Sequence, residues 1–179
     1  MPLCVALLRG INVGKAKRLP MADLRALLEG LGHTEVRSLL NSGNAVFQSA
    51  NRRAPATLAR EIAVAIRDRL ALEVPVVVKT AAQWQAIVSA NPDPQPPDPS
   101  RLLVVLTQDA QALGALEALR PLLAADETFS LSPEAAYLHC ASGILESRAA
   151  TALLGKLGQG LTTRNWATVM KLQAMVQSP

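Results

Sequence analysis

The run Asn91-Pro-Asp-Pro-Gln-Pro-Pro-Asp-Pro-Ser100 constrains this 179-residue chain more than any other feature, because it holds five prolines in ten residues. Proline fixes φ and removes a backbone donor, so neither a helix nor a central strand runs through it. The chain is thereby divided into residues 1–90, a stiff linker at 91–100 and residues 101–179. Each block must then fold around apolar positions of its own.

The first block has a readable order of elements. Leu3 to Leu8 is a continuous apolar run of strand length. Pro20 opens a helix with Met21, Leu24, Leu27, Leu28 and Leu31 on one side, and Gly32 stops it. Val36 to Leu40 and Ala45 to Ser49 read as a hairpin around Asn41-Ser42-Gly43-Asn44, in which Gly43 accepts the positive φ of a tight turn. A helix over 55–70 turns Leu58, Ile62, Ile66 and Leu70 inward and leaves Arg60, Arg67 and Arg69 on a solvated face. A strand at Val74 to Lys79 follows, and Thr80 with Gln83 forms a capping box for a helix carrying Trp84, Ile87 and Val88.

After the linker the same order begins again. Leu102 to Leu106 is a strand, Asp109 caps a helix with Leu113 and Leu116, and strands lie near Thr128 to Leu131 and Ala136 to Cys140. Ser147 caps a further helix; Gly158 to Gly160 then stands where the first block has its fourth strand, and a final helix starts at about Arg164. The expected class is α+β: two ferredoxin-like βαββα(β) lobes with antiparallel sheets covered by helices, related as a degenerate internal repeat.

Several chemistries are disfavoured by the residues present. No apolar run approaches the roughly 20 residues of a membrane helix. No basic residue precedes the opening apolar run, so a cytoplasmic chain is expected. Cys4 and Cys140, each in an apolar stretch, predict buried reduced thiols and no disulfide. With two histidines and two scattered cysteines there is no metal-ligand spacing, and no cofactor is implied. Gly10-x-x-x-Gly14-Lys15-Ala16 is one residue short of a P-loop, and Ala16 lacks the hydroxyl that would reach a magnesium ion. His139 and Cys140 are strand neighbours whose side chains point to opposite faces. His33, after a helix-stopping glycine, is expected in an exposed turn, and Asp126-Glu127 is expected to face solvent. No catalytic constellation is assigned.

Three segments stand out beside this pattern: Leu7-Leu8-Arg9-Gly10-Ile11-Asn12-Val13-Gly14, Ser42-Gly43-Asn44 and Thr162-Thr163-Arg164-Asn165-Trp166. They resemble the hallmark segments of a bacterial domain-of-unknown-function family, DUF1697, with Lys15 where that family has a second glycine. The segments span both blocks, so the resemblance implies a fold and motif positions over nearly the whole chain, but no mechanism.

A candidate site follows from topology. In a ferredoxin-like unit the first two strands run the same way, so the loop from Arg9 to Lys17 and the hairpin from Asn41 to Asn44 emerge at one sheet edge. That edge carries Arg9, Asn12, Lys15, Lys17, Ser42 and Asn44. Thr162 or Thr163 is expected to cap the last helix, with Arg164 in its first turn and Asn165 beside it, where a bound anion would offset the clash between cation and dipole. The first block is also the basic one, with twelve Lys and Arg against six Asp and Glu, whereas residues 91–179 hold six against eight. The expected function is binding of a small anionic or phosphorylated ligand. A protein-interaction or self-association module is the competing class, in which the glycines serve turns, Asn12 and Asn44 bond nearby backbone, and Arg164 pairs with an internal carboxylate. Nucleic-acid binding ranks third, because the chain is only 3% aromatic and Trp84, Trp166 and Phe47 are most readily core residues.

Overall fold

The structure, a computed structural model, describes residues 1–14 and 17–178. It forms two compact units, Met1–Trp84 with residues 172–178 and Gln85–Lys171. The first unit runs β1 (Leu3–Leu8), α1 (Met21–Gly30), β2 (Thr34–Leu39), β3 (Asn44–Gln48), α2 (Pro55–Leu70) and β4 (Val76–Thr80), which leads into α3 (Ala81–Ser89). Its strands are antiparallel in the order β2-β3-β1-β4, the ferredoxin-like arrangement.

Apolar spacing explains the packing. Leu58, Ile62 and Ile66 recur every fourth residue on α2 and join Leu24, Leu27 and Leu28 of α1 over Cys4, Ala6 and Leu8 of β1. Full burial of each such leucine or isoleucine is worth roughly 1.5–3 kcal/mol. The intervening Val5 and Leu7 are buried too, which is why β1 reads as an unbroken apolar run. Gly32 ends α1 at φ 87°, and the N–H groups of Gly32 and His33 donate to the carbonyls of Glu29 and Leu28. His33 departs from expectation. It is buried, its ring centre lies 4.6 Å from that of Phe47, and its Nδ1 accepts from the Ala50 N–H. Stacking on an aromatic core residue outweighs the turn position.

The second unit runs β5 (Leu102–Leu106), a 3-10 helix (Ala110–Leu122), β6 (Thr128–Leu131), β7 (Ala135–His139), α4 (Arg148–Leu154) and β8 (Thr162–Asn165), which leads into α5 (Trp166–Gln177). The strand order β6-β7-β5-β8 repeats that of the first unit. The Asp109 and Ser147 caps form as expected, through the N–H groups of Gln111 and Ala150. The helix after Asp109 is 3-10 rather than α, as suits a segment containing Gly114 and Pro121. The end of the chain also differs from the sequence reading. Residues 162–165 form a fourth strand, pairing Thr162 with Leu106 and Arg164 with Val104. The cap of the last helix is therefore Asn165, whose Oδ1 accepts from the Thr168 N–H at 2.9 Å. Glu127 is buried, not solvated, with its carboxylate accepting from the Ala124 N–H.

Candidate functional site

Pairing places Leu7 and Leu39 opposite Asn44 and Leu8 opposite Val76, so β1 and β2 end where β3 and β4 begin. Three loops meet at this edge of the first unit, and backbone hydrogen bonds join them. The Leu8 N–H donates to the Gly43 carbonyl at 2.8 Å, and the Arg9 N–H to the Pro75 carbonyl at 3.0 Å. Gly43 is required here twice over: its φ is 81°, and a Cβ would come within 2.7 Å of Leu8 Cβ.

The asparagines fasten the edge. Asn12, with a left-handed φ of 55°, donates through Nδ2 to the carbonyls of Leu19 (2.8 Å) and Asn41 (2.6 Å) and accepts at Oδ1 from the Leu19 N–H (2.9 Å). Its own N–H donates to the Lys17 carbonyl. Asn44 is buried and donates to the Leu39 carbonyl and the Ser42 hydroxyl, each at 2.9 Å. Lys17 is exposed, and its Nζ donates to the Glu73 carbonyl at 2.9 Å. Arg9 is half-buried at the exit of β1, and Ser42 is exposed in the turn. Lys15 lies outside the described residues.

Arg18 is a further candidate at this edge that the sequence reading left out. With Asn12, Leu19, Pro20 and Asn41 it lines a cleft of about 280 Å³. Its place beside Lys17 on the same loop was the available signal. Pro75 and Glu73 were missed as well, although β4 must start beside the end of β1 in this strand order. Gly10 and Gly14 take φ of 69° and 62°, and a Cβ at either would meet nothing within 4 Å, so space is open beside the backbone there. The edge thus gathers Lys17, Arg18 and the half-buried Arg9 on a fastened scaffold.

Arg164 and Asn165 belong to the second unit. Arg164 is on β8, not in a helix, so the helix-dipole argument does not apply to it. It is buried, burial pulls its pKa down to about 10, and its Nη1 donates to Thr162 Oγ1 (2.9 Å) and the Thr163 carbonyl (2.8 Å). Asn165 serves as the α5 cap. Both cysteines are buried; desolvation pushes the Cys4 thiol up to about 11 and raises that of Cys140. Such thiols stay protonated and are poor nucleophiles. Among the described residues no group of three or more His, Cys, Asp or Glu could hold a metal ion, and no helix is long and apolar enough to cross a membrane.

The architecture defines a class: α+β chains built of two ferredoxin-like units, here with a cationic strand edge on the first. The chain belongs to the DUF1697 family, described as protein of unknown function, which it matches over residues 1–137. It is similar to the structure of the conserved bacterial protein SP0830 from Streptococcus pneumoniae, with a TM-score of 0.78, 22% identity, and 98% of this chain and 99% of that one covered. Likeness at that identity shows the fold alone. No curated protein matches the chain.

Proposed function

We propose that the strand edge of the first unit binds a small anionic or phosphorylated ligand. The observation that carries this reading is the gathering of Arg9, Lys17 and Arg18 on loops that Asn12 and backbone hydrogen bonds tie together. A scaffold ordered in advance lowers the entropic cost of binding. In this reading Asn12, Ser42 and Asn44 hold the edge in shape, while the cations and the backbone beside Gly10 and Gly14 face the ligand. Backbone strain points the same way. Asn12, Lys17 and Leu40 are three of the five non-glycine residues with positive φ among those described, and each costs on the order of 1 kcal/mol. We read the strand order shared by the two units as the trace of an internal repeat, and the buried thiols as suited to a reducing cytoplasm.

One observation favours a second reading, a protein-interaction surface: Val13 and Leu40, both at this edge, are 72% and 50% exposed. Nucleic-acid binding has less support, because Phe47, Trp84, Phe129, Tyr137 and Trp166 are all buried and leave no stacking platform.

Calorimetric titration with inorganic phosphate separates the readings. Arg9→Ala and Arg18→Ala should each weaken binding by about 1.5–3 kcal/mol, the range for a hydrogen bond to a charged group. The affinity should also fall with added salt. Unchanged affinity in both variants would rule out the strand edge, and self-association abolished by Val13→Ser would favour the interaction surface.

A further inference from the structure

A second cationic region lies along α2. Helical spacing puts Arg60, Val64 and Arg67 on one stripe, away from the buried Leu58, Ile62 and Ile66. A cleft of about 430 Å³ opens on one side of this stripe, where Lys17 and Glu73 complete its charged lining with Arg60 and Arg67. Another, of about 460 Å³, opens on the other side over Leu31, Leu58 and Ala65. Arg60 and Val64 are walls of both clefts.

The two sides differ in chemistry. Three cations line the first cleft against Glu73, and with Asp68 paired to Arg67 an excess of one positive charge remains. A phosphate monoester carries about −1.5 to −2 at pH 7. In the second cleft Arg53 is paired with Glu61; Asp68 and Arg69 add one charge of each sign to the rim, and Leu31 with Val64 supplies the apolar surface. Val64 between them is 38% exposed, although an apolar β-branched residue on a helix surface gains nothing from solvent. The Arg67–Asp68 pair, more than half exposed on both partners, holds its guanidinium only weakly.

We propose that the two clefts form one site for a phosphorylated small molecule, with the phosphate among Lys17, Arg60 and Arg67 and an uncharged body lying across Val64 toward Leu31. Their sizes fall within the roughly 300–1,000 Å³ usual for ligand pockets. The site shares Lys17 with the strand edge but does not rest on the reading given to that edge.

Amide NMR titrations of the full chain with phenyl phosphate and with inorganic phosphate test this. Both probes should shift the amides of residues 60–67, Glu73 and Val74, with phenyl phosphate binding about tenfold tighter because its ring covers Val64 and Leu31. At those amides, Arg60→Ala should weaken both probes about tenfold or more. Arg60→Lys should recover part of the loss, and Val64→Ser should erase the preference for phenyl phosphate. Arg60 is exposed, so an unchanged spectrum without ligand will show that the variants fold. Arg18→Ala should leave the shifts at 60–67 unaltered. Absence of shifts at 60–67, equal affinity for the two probes, or indifference to Arg60→Ala would each overturn the proposal. A response confined to Arg9 and Arg18 would overturn it while leaving the strand edge standing, and a response confined to Arg60 would do the reverse.

Discussion

Asn44 sits fully buried at the start of β3, and its amide is the donor that satisfies the Leu39 carbonyl across the turn. Asn44→Ala removes that donor where water does not replace it, so a loss of about 1–3 kcal/mol is expected. It would appear as a lower denaturant midpoint with an unchanged slope. A change below about 0.5 kcal/mol would show that the amide is not a fastening. His33 carries a pH dependence. Burial holds its pKa below 6.5, ahead of the opposing influence of Glu61, so the folded state binds fewer protons than the unfolded one. Its contribution is present above pH 6.5 and is lost as pH falls through the folded value, when protonation also removes the acceptor used by Ala50. Denaturant midpoints measured between about pH 8 and pH 5 should therefore fall, and His33→Gln should flatten the curve. Asp98 and Glu117 also lie below their ordinary values, but they titrate at lower pH and leave this window clear. An equal slope in the variant would assign the dependence elsewhere. The Asn-Ser-Gly-Asn turn was legible because its residue types are turn formers. The burial of His33 was not, since it depends on Phe47 arriving from another strand.

At the scale of elements, spacing and caps carried most of the information. Thr80 and Gln83 bond one another's N–H groups at 3.1 Å, as a capping box predicts from two residues three apart. β8 was illegible for a physical reason: it has four residues, and its pairing partner β5 lies some sixty positions earlier. All four of its residues are polar, so no apolar alternation marks it, whereas the equally short β6 alternates. Of the glycines before it, read as a loop replacing a strand, Gly158 has a packing role, while Gly160 serves the turn with a φ of 82°. A Cβ on Gly158 would stand 1.8 Å from the Leu153 carbonyl oxygen, a backbone atom that cannot step aside without moving the end of α4. Gly158→Ala is thus expected to destabilise the chain by more than about 2 kcal/mol, whereas Gly114→Ala, with nothing within 4 Å, should be close to neutral or mildly stabilising. Thermal melts of the two variants side by side check this, and equal melting temperatures would contradict it.

For the molecule as a whole, element order was enough to anticipate two ferredoxin-like units, because that order admits few antiparallel arrangements, although the units divide after Trp84 rather than at the five-proline run. The candidate site was legible at the level of topology: strand direction alone brought the loop after β1 to the β2–β3 turn. That Asn12 and Asn44 bond nearby backbone was one of the two readings the sequence left open; which carbonyls accept was not legible, because their positions exist only in the folded chain. The electrostatic asymmetry between the halves then acquires a location, with Arg9, Lys17 and Arg18 at one edge of the basic unit. The central claim is that this edge holds an anion, and the most direct measurement is a residue-resolved NMR titration with inorganic phosphate. Phosphate should give saturable shifts at the amides of residues 9–14, 18–19 and 41–44 that disappear in Arg18→Ala and shrink with added salt. Saturable shifts confined to residues 102–165, or none at all at the strand edge, would contradict that claim.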